Sequence, residues 1–292
     1  MRDFSEYNPI TLFVYFAAVL VIGMFSSHPV ISALSLLGAL SMILAGRIRI
    51  KPGVLLFFLV MFLAPVILNP VFDHHGLTVL LVVNDNPITL ESVLFGLQTG
   101  VLILAALLWF RSFSHIFTSD KLLYIFGTVS PKFALLLSMT LRYIPLFTDQ
   151  TARVNEAQKA IGLYKEDNVL DSVKGGARVF SVMVTWALEN GIVTADSMEA
   201  RGYGVGRRSF YALYRFAKKD VLFLAVTLVL FGGALAGMIL HGIDFSFYPV
   251  LGALKTDFPA WLTMISFGIL SFLPSAMILG EELKWKFYQS KI

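Results

Sequence analysis

The chain of 292 residues contains no cysteine. That excludes disulfides and thiolate metal sites, and it removes the usual clue to redox compartment. Charge is scarce as well: Asp, Glu, Lys and Arg together make up 14% of the residues, against 57% hydrophobic ones. A soluble domain holds roughly 45–50% apolar residues, so this composition, with a mean hydropathy of +0.76, reads as a polytopic membrane protein. Also missing are a Gly-x-x-x-x-Gly-Lys-[Ser/Thr] phosphate loop, a Gly-x-Ser-x-Gly elbow and a His-Glu-x-x-His pair. Nucleotide hydrolysis and the common hydrolase chemistries therefore have no motif here, and no cofactor is expected.

What the sequence does have is long apolar runs. A hydrocarbon core takes roughly 20 helical residues, and six runs read as spans, near residues 10–26, 29–46, 54–68, 92–110, 220–241 and 259–280. The first two turn tightly at Ser26-Ser27-His28-Pro29, where Pro suits the first turn of the second helix. The third reads as the shortest and ends at Asn69-Pro70. Ionisable residues are essentially absent between the ends of the runs, which disfavours an ion-coupled transporter or proton pump. Small residues stand there instead: Gly96 with Gly100 and Gly233 with Gly237 form small-xxx-small faces expected to pack helices within the chain.

The few charges are lopsided. Against this map, 22 of the 23 Lys and Arg residues fall on one side and only Lys255 on the other. By the positive-inside rule both termini and the central segment are cytoplasmic, and the first span is read as uncleaved. The net charge of +4 thus marks topology rather than nucleic-acid binding. In the outer loop, Asp73-His74-His75 reads as a polar loop rather than a metal site, because adjacent loop residues share no face. Residues 77–83 read as a short strand or an interfacial stretch, Asn84-Asp85-Asn86-Pro87 as a turn, and Thr89 as the cap of the next helix.

The chain divides into residues 1–112 with four spans, 113–219 with regular charge, and 220–292 with two spans. In the central part, Ser130-Pro131 opens a helix running to Gly162, and a further helix runs from about Asp171 or Ser172 to Gly202. On the latter, Phe180, Met183, Val184, Ala187, Leu188, Gly191, Ile192 and Ala195 form a stripe that requires cover. Gly175 and Gly176 mark a bend, a frayed start or a close crossing. An alternative sends residues 133–147 and 179–193 through the bilayer, giving eight spans, but Arg142, Glu189 and Asn190 oppose it.

Both long helices end alike. One closes on Lys159-Ala160-Ile161-Gly162 and the other on Glu199-Ala200-Arg201-Gly202. A Gly after the last turn permits a left-handed residue there and ends the helix, leaving the preceding side chain projecting. These paired ends, with Ser119-Asp120-Lys121, Leu141-Arg142-Tyr143-Ile144-Pro145 and Thr185-Trp186-Ala187-Leu188-Glu189-Asn190, resemble the T component of energy-coupling-factor (ECF) transporters, ABC-type importers of vitamins and metals.

The resemblance implies an all-α prokaryotic plasma-membrane protein of about six spans with a cytoplasmic coupling domain of long crossed helices. It further implies that Ala160, Ile161, Gly162, Lys159, Ala200, Arg201, Gly202 and Glu199 dock two cytoplasmic ATPases, and that a separate membrane-embedded S component binds the micronutrient. The chain itself would not be an enzyme. It departs from the family pattern at Ile161, where an Arg is expected; docking there would be apolar, with Lys159 one source of charge, and the asymmetry would suit two non-identical ATPases. Two other classes stand beside this reading. One is a lipid-modifying membrane enzyme holding phosphates with Arg142, Arg153 and Arg178, although Asp149, Glu156, Asp171, Glu189 and Asp196 are scattered; the other is a self-sufficient permease. Because the chain lacks cysteine, single substitutions test the topology directly. Glu199→Cys in intact cells should resist a membrane-impermeant maleimide that labels Asn86→Cys, and labelling of Glu199→Cys would invert the assignment.

Overall fold

A computed structural model describes residues 2–73, 76–83, 86–162, 169–206, 214–240, 242, 244–253 and 257–290. In chain order the elements are α1 (Arg2–Glu6), α2 (Pro9–Phe25), α3 (Pro29–Ala45), α4 (Pro52–Phe72), β1 (Val79–Val83), β2 (Asn86–Thr89), α5 (Leu90–Ile116), α6 (Ser119–Val129), α7 (Pro131–Ala160), α8 (Val169–Ala200), α9 (Lys218–Ile239) and α10 (Phe258–Gln289). They fall into two compact units, one made of Met1–Lys121 with Tyr214–Ile292, the other of Leu122–Leu213.

The first unit carries the apolar helices. α4, α5, α9 and α10 are each long and apolar enough to cross a membrane, and α2 and α3 are apolar helices of 17 residues. The chain is an all-α membrane protein with, among the described residues, one local exception, the antiparallel hairpin of β1 and β2. α7 and α8, at 30 and 32 residues, are longer than most of these helices but are not among those apolar enough to span. One sequence expectation needs correction: α4 is not the shortest span but runs 21 residues, through both Pro65 and Pro70. A proline removes one backbone hydrogen bond without ending a helix whose neighbours and lipid leave it no better alternative.

Local chemistry sets the helix starts. The Asn8 side chain accepts from the Ile10 amide at 3.0 Å, His28 Nδ1 from the Val30 amide at 3.3 Å, and Thr89 Oγ1 from the Ser92 amide at 3.3 Å. Each satisfies one of the donors that a helix N-terminus leaves open. Ser130 holds the cap position of α7 in extended backbone, yet its hydroxyl makes no capping bond. His74, His75, Asn84 and Asp85 lie outside the described residues.

Close approach and polar pins hold the first unit together. The indole of fully buried Trp109 on α5 donates to Ser35 of α3, with both the carbonyl and Oγ at 3.1 Å. The Tyr15 hydroxyl donates to the Leu270 carbonyl at 3.0 Å, and the Ser41 and Ser275 hydroxyls lie 2.7 Å apart. Gly96 and Gly100 face α4 so closely that a Cβ on them would lie 2.8 Å from the Pro65 carbonyl and 2.7 Å from that of Phe62. On α9, a Cβ at Gly237 would come within 2.6 Å of the Pro259 carbonyl, and one at Gly233 within 3.0 Å of Ser266 Oγ. Gly100→Leu should therefore push α4 from α5 and destabilise the fold by about 1–3 kcal/mol, read as a lower unfolding temperature in detergent. The exposed Gly53, where a Cβ meets nothing within 4 Å, serves as the control position.

Candidate functional site at two helix ends

The second unit is built on the α7 and α8 pair. Phe147 and Trp186 meet edge to face with ring centroids 5.3 Å apart, and the hydroxyls of Tyr143 and Thr194 lie 2.9 Å apart. Towards the other end, Thr151 and Asn155 share a groove with Gly176, Val179 and Phe180. Contacts that climb α7 descend α8, so the two helices run antiparallel. At about 1.5 Å per residue, Gly162 and Gly202 each stand roughly 20–25 Å beyond the Phe147–Trp186 contact, in opposite directions.

Each tip is closed by its backbone. At the end of α8 the Gly202 amide donates to the Glu199 carbonyl at 2.8 Å and the Tyr203 amide to the Met198 carbonyl at 3.0 Å. This pair of bonds is the Schellman arrangement, which needs a left-handed residue at its centre. Gly202 supplies it with φ +78°. At the end of α7 the Gly162 amide donates to the Lys159 carbonyl at 3.0 Å and Gly162 has φ +74°; the position of the second bond falls on Leu163, outside the described residues. A Cβ on either glycine would meet nothing within 4 Å, so the requirement there is conformational rather than spatial.

These turns present the side chains that the sequence singled out. Lys159, Ala160, Ile161, Glu199, Ala200 and Arg201 are all exposed, Ile161 by 73%. Among the described residues, Arg201 has no ion pair or side-chain hydrogen bond. Its guanidinium is a permanently charged fork that no described residue of this chain pairs. The structure does not bring the two tips together; each stands at its own end of the pair. Arg207 and Arg208 lie outside the described residues.

Two features go beyond the sequence reading. The apolar stripe of α8 is only partly covered: Met183 is buried, as is Val179 beside the stripe, whereas Phe180, Leu188 and Ile192 are more than 60% exposed. Beside it runs an apolar groove of about 520 Å³, lined by Phe147, Val179, Phe180, Met183, Val184 and Ala187 among others. The stripe was visible as a periodicity, but whether it would be covered was not. Gly175 and Gly176 sit within continuous helix, with no break or frayed start. As for a metal, no group of three or more His, Asp or Glu side chains gathers among the described residues.

Comparison with known proteins bears on this arrangement. A family profile described as cobalt transport protein (CbiQ) matches residues 7–211, a stretch that includes both tips. The chain belongs to that family. It is also similar to proteins named energy-coupling factor transporter transmembrane protein EcfT, the T components of ECF transporters. It is 31% identical over 156 residues to the one from Streptococcus thermophilus, covering 47% of this chain and 59% of the relative. It is 32% identical over 107 residues to that of Streptococcus equi (36% and 40%), and 37% identical over 93 residues to that of Listeria innocua (30% and 35%). The chain thus aligns with between about a third and three fifths of these relatives' lengths. It is a membrane-embedded component of the ECF transporter class.

If the α8 turn depends on Gly202 in the left-handed region, Gly202→Val should cost about 1–2 kcal/mol locally. The Tyr203 amide should then exchange with deuterium faster, while the amides of α8 near Trp186 keep their protection.

Proposed function

We propose that this chain is the scaffold subunit of an ECF-type importer in a prokaryotic plasma membrane, with both termini cytoplasmic. It would transmit ATP-driven motion from two cytoplasmic ABC-type ATPases to a separate membrane-embedded S component that carries a vitamin or metal. The observation that carries this reading is the pair of exposed tips. They share a glycine-closed turn, they project from opposite ends of one antiparallel helix pair on the order of 40 Å apart, and Arg201 has no side-chain partner among the described residues.

The physics of each tip follows from its residues. A guanidinium presents a planar donor fork suited to a carboxylate in a groove, and Gly202 adds no side-chain bulk beside it. Ala160-Ile161-Gly162 offers the same turn with an aliphatic side chain, so its groove would be apolar, with Lys159 nearby. Two unlike tips suit two non-identical ATPases. Motion of one subunit against the other then reaches the tips as a rigid displacement.

The uncovered side of the helix pair fits the S component. Phe180, Leu188 and Ile192 stand exposed next to the apolar groove, and a mostly apolar membrane protein is the partner whose surface would cover them. On this reading the chain itself carries out no catalysis and binds no cargo. The acidic residues that a lipid-modifying enzyme would need, Asp149, Glu156, Asp171, Glu189 and Asp196, form no metal-holding group among the described residues.

Arg201→Glu should cost about 2–5 kcal/mol of ATPase binding by setting like charges face to face. Copurification of the Arg201-docked ATPase should be lost from membranes in which the variant still inserts. Ile161→Glu should release the other ATPase preferentially. Undiminished copurification of both ATPases with Arg201→Glu would overturn the docking assignment.

A further inference from the structure

Within the first unit, the connection between α3 and α4 carries charge that the chain does not answer. α3 closes with Arg47 in the left-handed region at φ +48°; its amide donates to the Leu44 carbonyl and that of Ile48 to the Ile43 carbonyl, both at 3.1 Å. The turn buries Ile48 and leaves Arg47, Arg49 and Lys51 exposed. Arg47 pairs with Glu282 of α10 at 3.4 Å. Among the described residues, the side chains of Arg49 and Lys51 have no ion pair or hydrogen bond. The sequence holds no Asp or Glu between Glu6 and Asp73, nor between Glu91 and Asp120. The connection, α3, α4 and all of α5 after its first turn therefore lack a carboxylate.

A third cation stands beside these two. Arg111, near the end of α5, donates from Nη2 to the Arg49 carbonyl at 3.2 Å, which holds its guanidinium against the connection. α4 and α5 run antiparallel, with Gly96 against Pro65 and Gly100 against Phe62. Carried to the helix ends, that register sets Lys51 level with Arg111. The Arg111 Nε is buried and, among the described residues, has no hydrogen-bond partner. A guanidinium with a buried unmet donor and no counter-charge is costly. Membrane sidedness asks only that a cation lie on the right side of the bilayer, not that it be partly buried. The cluster is suited instead to an anion that reaches it from outside the chain.

The adjoining surface says which anion. Just past Lys51, the side chains of Leu56, Leu59, Val60 and Leu63 are exposed on a helix long and apolar enough to cross a membrane. Cations at the end of a bare apolar flank match a molecule with an anionic head and hydrocarbon tails. We propose that Arg49, Lys51 and Arg111 bind the phosphate of an anionic phospholipid whose acyl chains lie along α4. The guanidinium forks take the non-bridging phosphate oxygens, and Lys51 supplies a point charge. A zwitterionic headgroup brings a cation of its own to the cluster and is the poorer ligand. The site belongs to the first unit alone and does not depend on the docking of ATPases.

The test uses the full-length chain in detergent micelles, titrated with dioleoyl phosphatidylglycerol or dioleoyl phosphatidylcholine, with bound lipid counted by native mass spectrometry. Phosphatidylglycerol should bind the more tightly. Arg49→Gln, Lys51→Gln and Arg111→Gln should each weaken it about fivefold, the worth of one cation near a headgroup. Removing two exposed cations elsewhere, Lys218→Gln with Lys219→Gln at the start of α9, should leave it unchanged. Should Arg111→Gln fail to insert, Arg49→Gln and Lys51→Gln, at exposed positions, read the site without it. Equal affinity for the two lipids, or an equal loss in the Lys218 and Lys219 variant, overturns the proposal. Excess inorganic phosphate should leave the phosphatidylglycerol bound; its displacement would assign the cluster to a free anion and overturn the lipid assignment.

Discussion

A helix in hydrocarbon has no water to expel from its neighbour, so apolar faces gain little by meeting, and association rests on close fit and on polar groups that find one another. The first unit follows this constraint throughout. Its glycines let backbones approach where α5 meets α4 and where α9 meets α10, and a methyl group at Gly100 or Gly237 would collide with a carbonyl. Its hydroxyls and indole fix which surfaces meet, as Trp109 does on Ser35 and Tyr15 on Leu270. The second unit is governed differently. α7 and α8 are not among the helices apolar enough to span, and the apolar stripe of α8 is only partly covered, the state expected of helices that work between partners in the function proposed above.

The antiparallel pairing of α7 and α8 sets their matching ends apart. Had the helices run parallel, both glycine turns would emerge on one side, and one partner could claim both. Running opposite ways, they hold out two separate contacts. On the docking proposed above, the side-chain difference between Ile161 and Arg201 then has room to matter, because each would be met on its own ground. The family match spans this whole arrangement, from the first membrane helix through both ends.

Much of this was legible in the sequence because its physics is local. Apolar runs of the right length foretold the membrane helices, Thr89 and His28-Pro29 marked helix starts, and a Gly after Ala-Arg or Ala-Ile announced a left-handed end. Pro70 misled because a proline removes one backbone hydrogen bond without having to end the helix; buried against its neighbours, it lets α4 continue to Phe72. The α8 stripe was visible as a period, but its exposure is a fact of tertiary packing that no period records. Lys121 stood in the quoted Ser119-Asp120-Lys121 motif, but that its ammonium binds the Ser5 carbonyl, and that Asp220 accepts from the Asn8 amide, was not legible, because backbone partners carry no residue signature.

The backbone closure of the helix ends has an evolutionary corollary. Since the bonds shaping the α8 turn run between main-chain atoms, and Gly162 repeats the same conformation on α7, the fold is indifferent to which side chain precedes the glycine. Residues 161 and 201 behave as exchangeable bits on a common shank. On the docking proposed above, a lineage can retool one of them for a new motor, greasy or ionic, without re-machining the shaft.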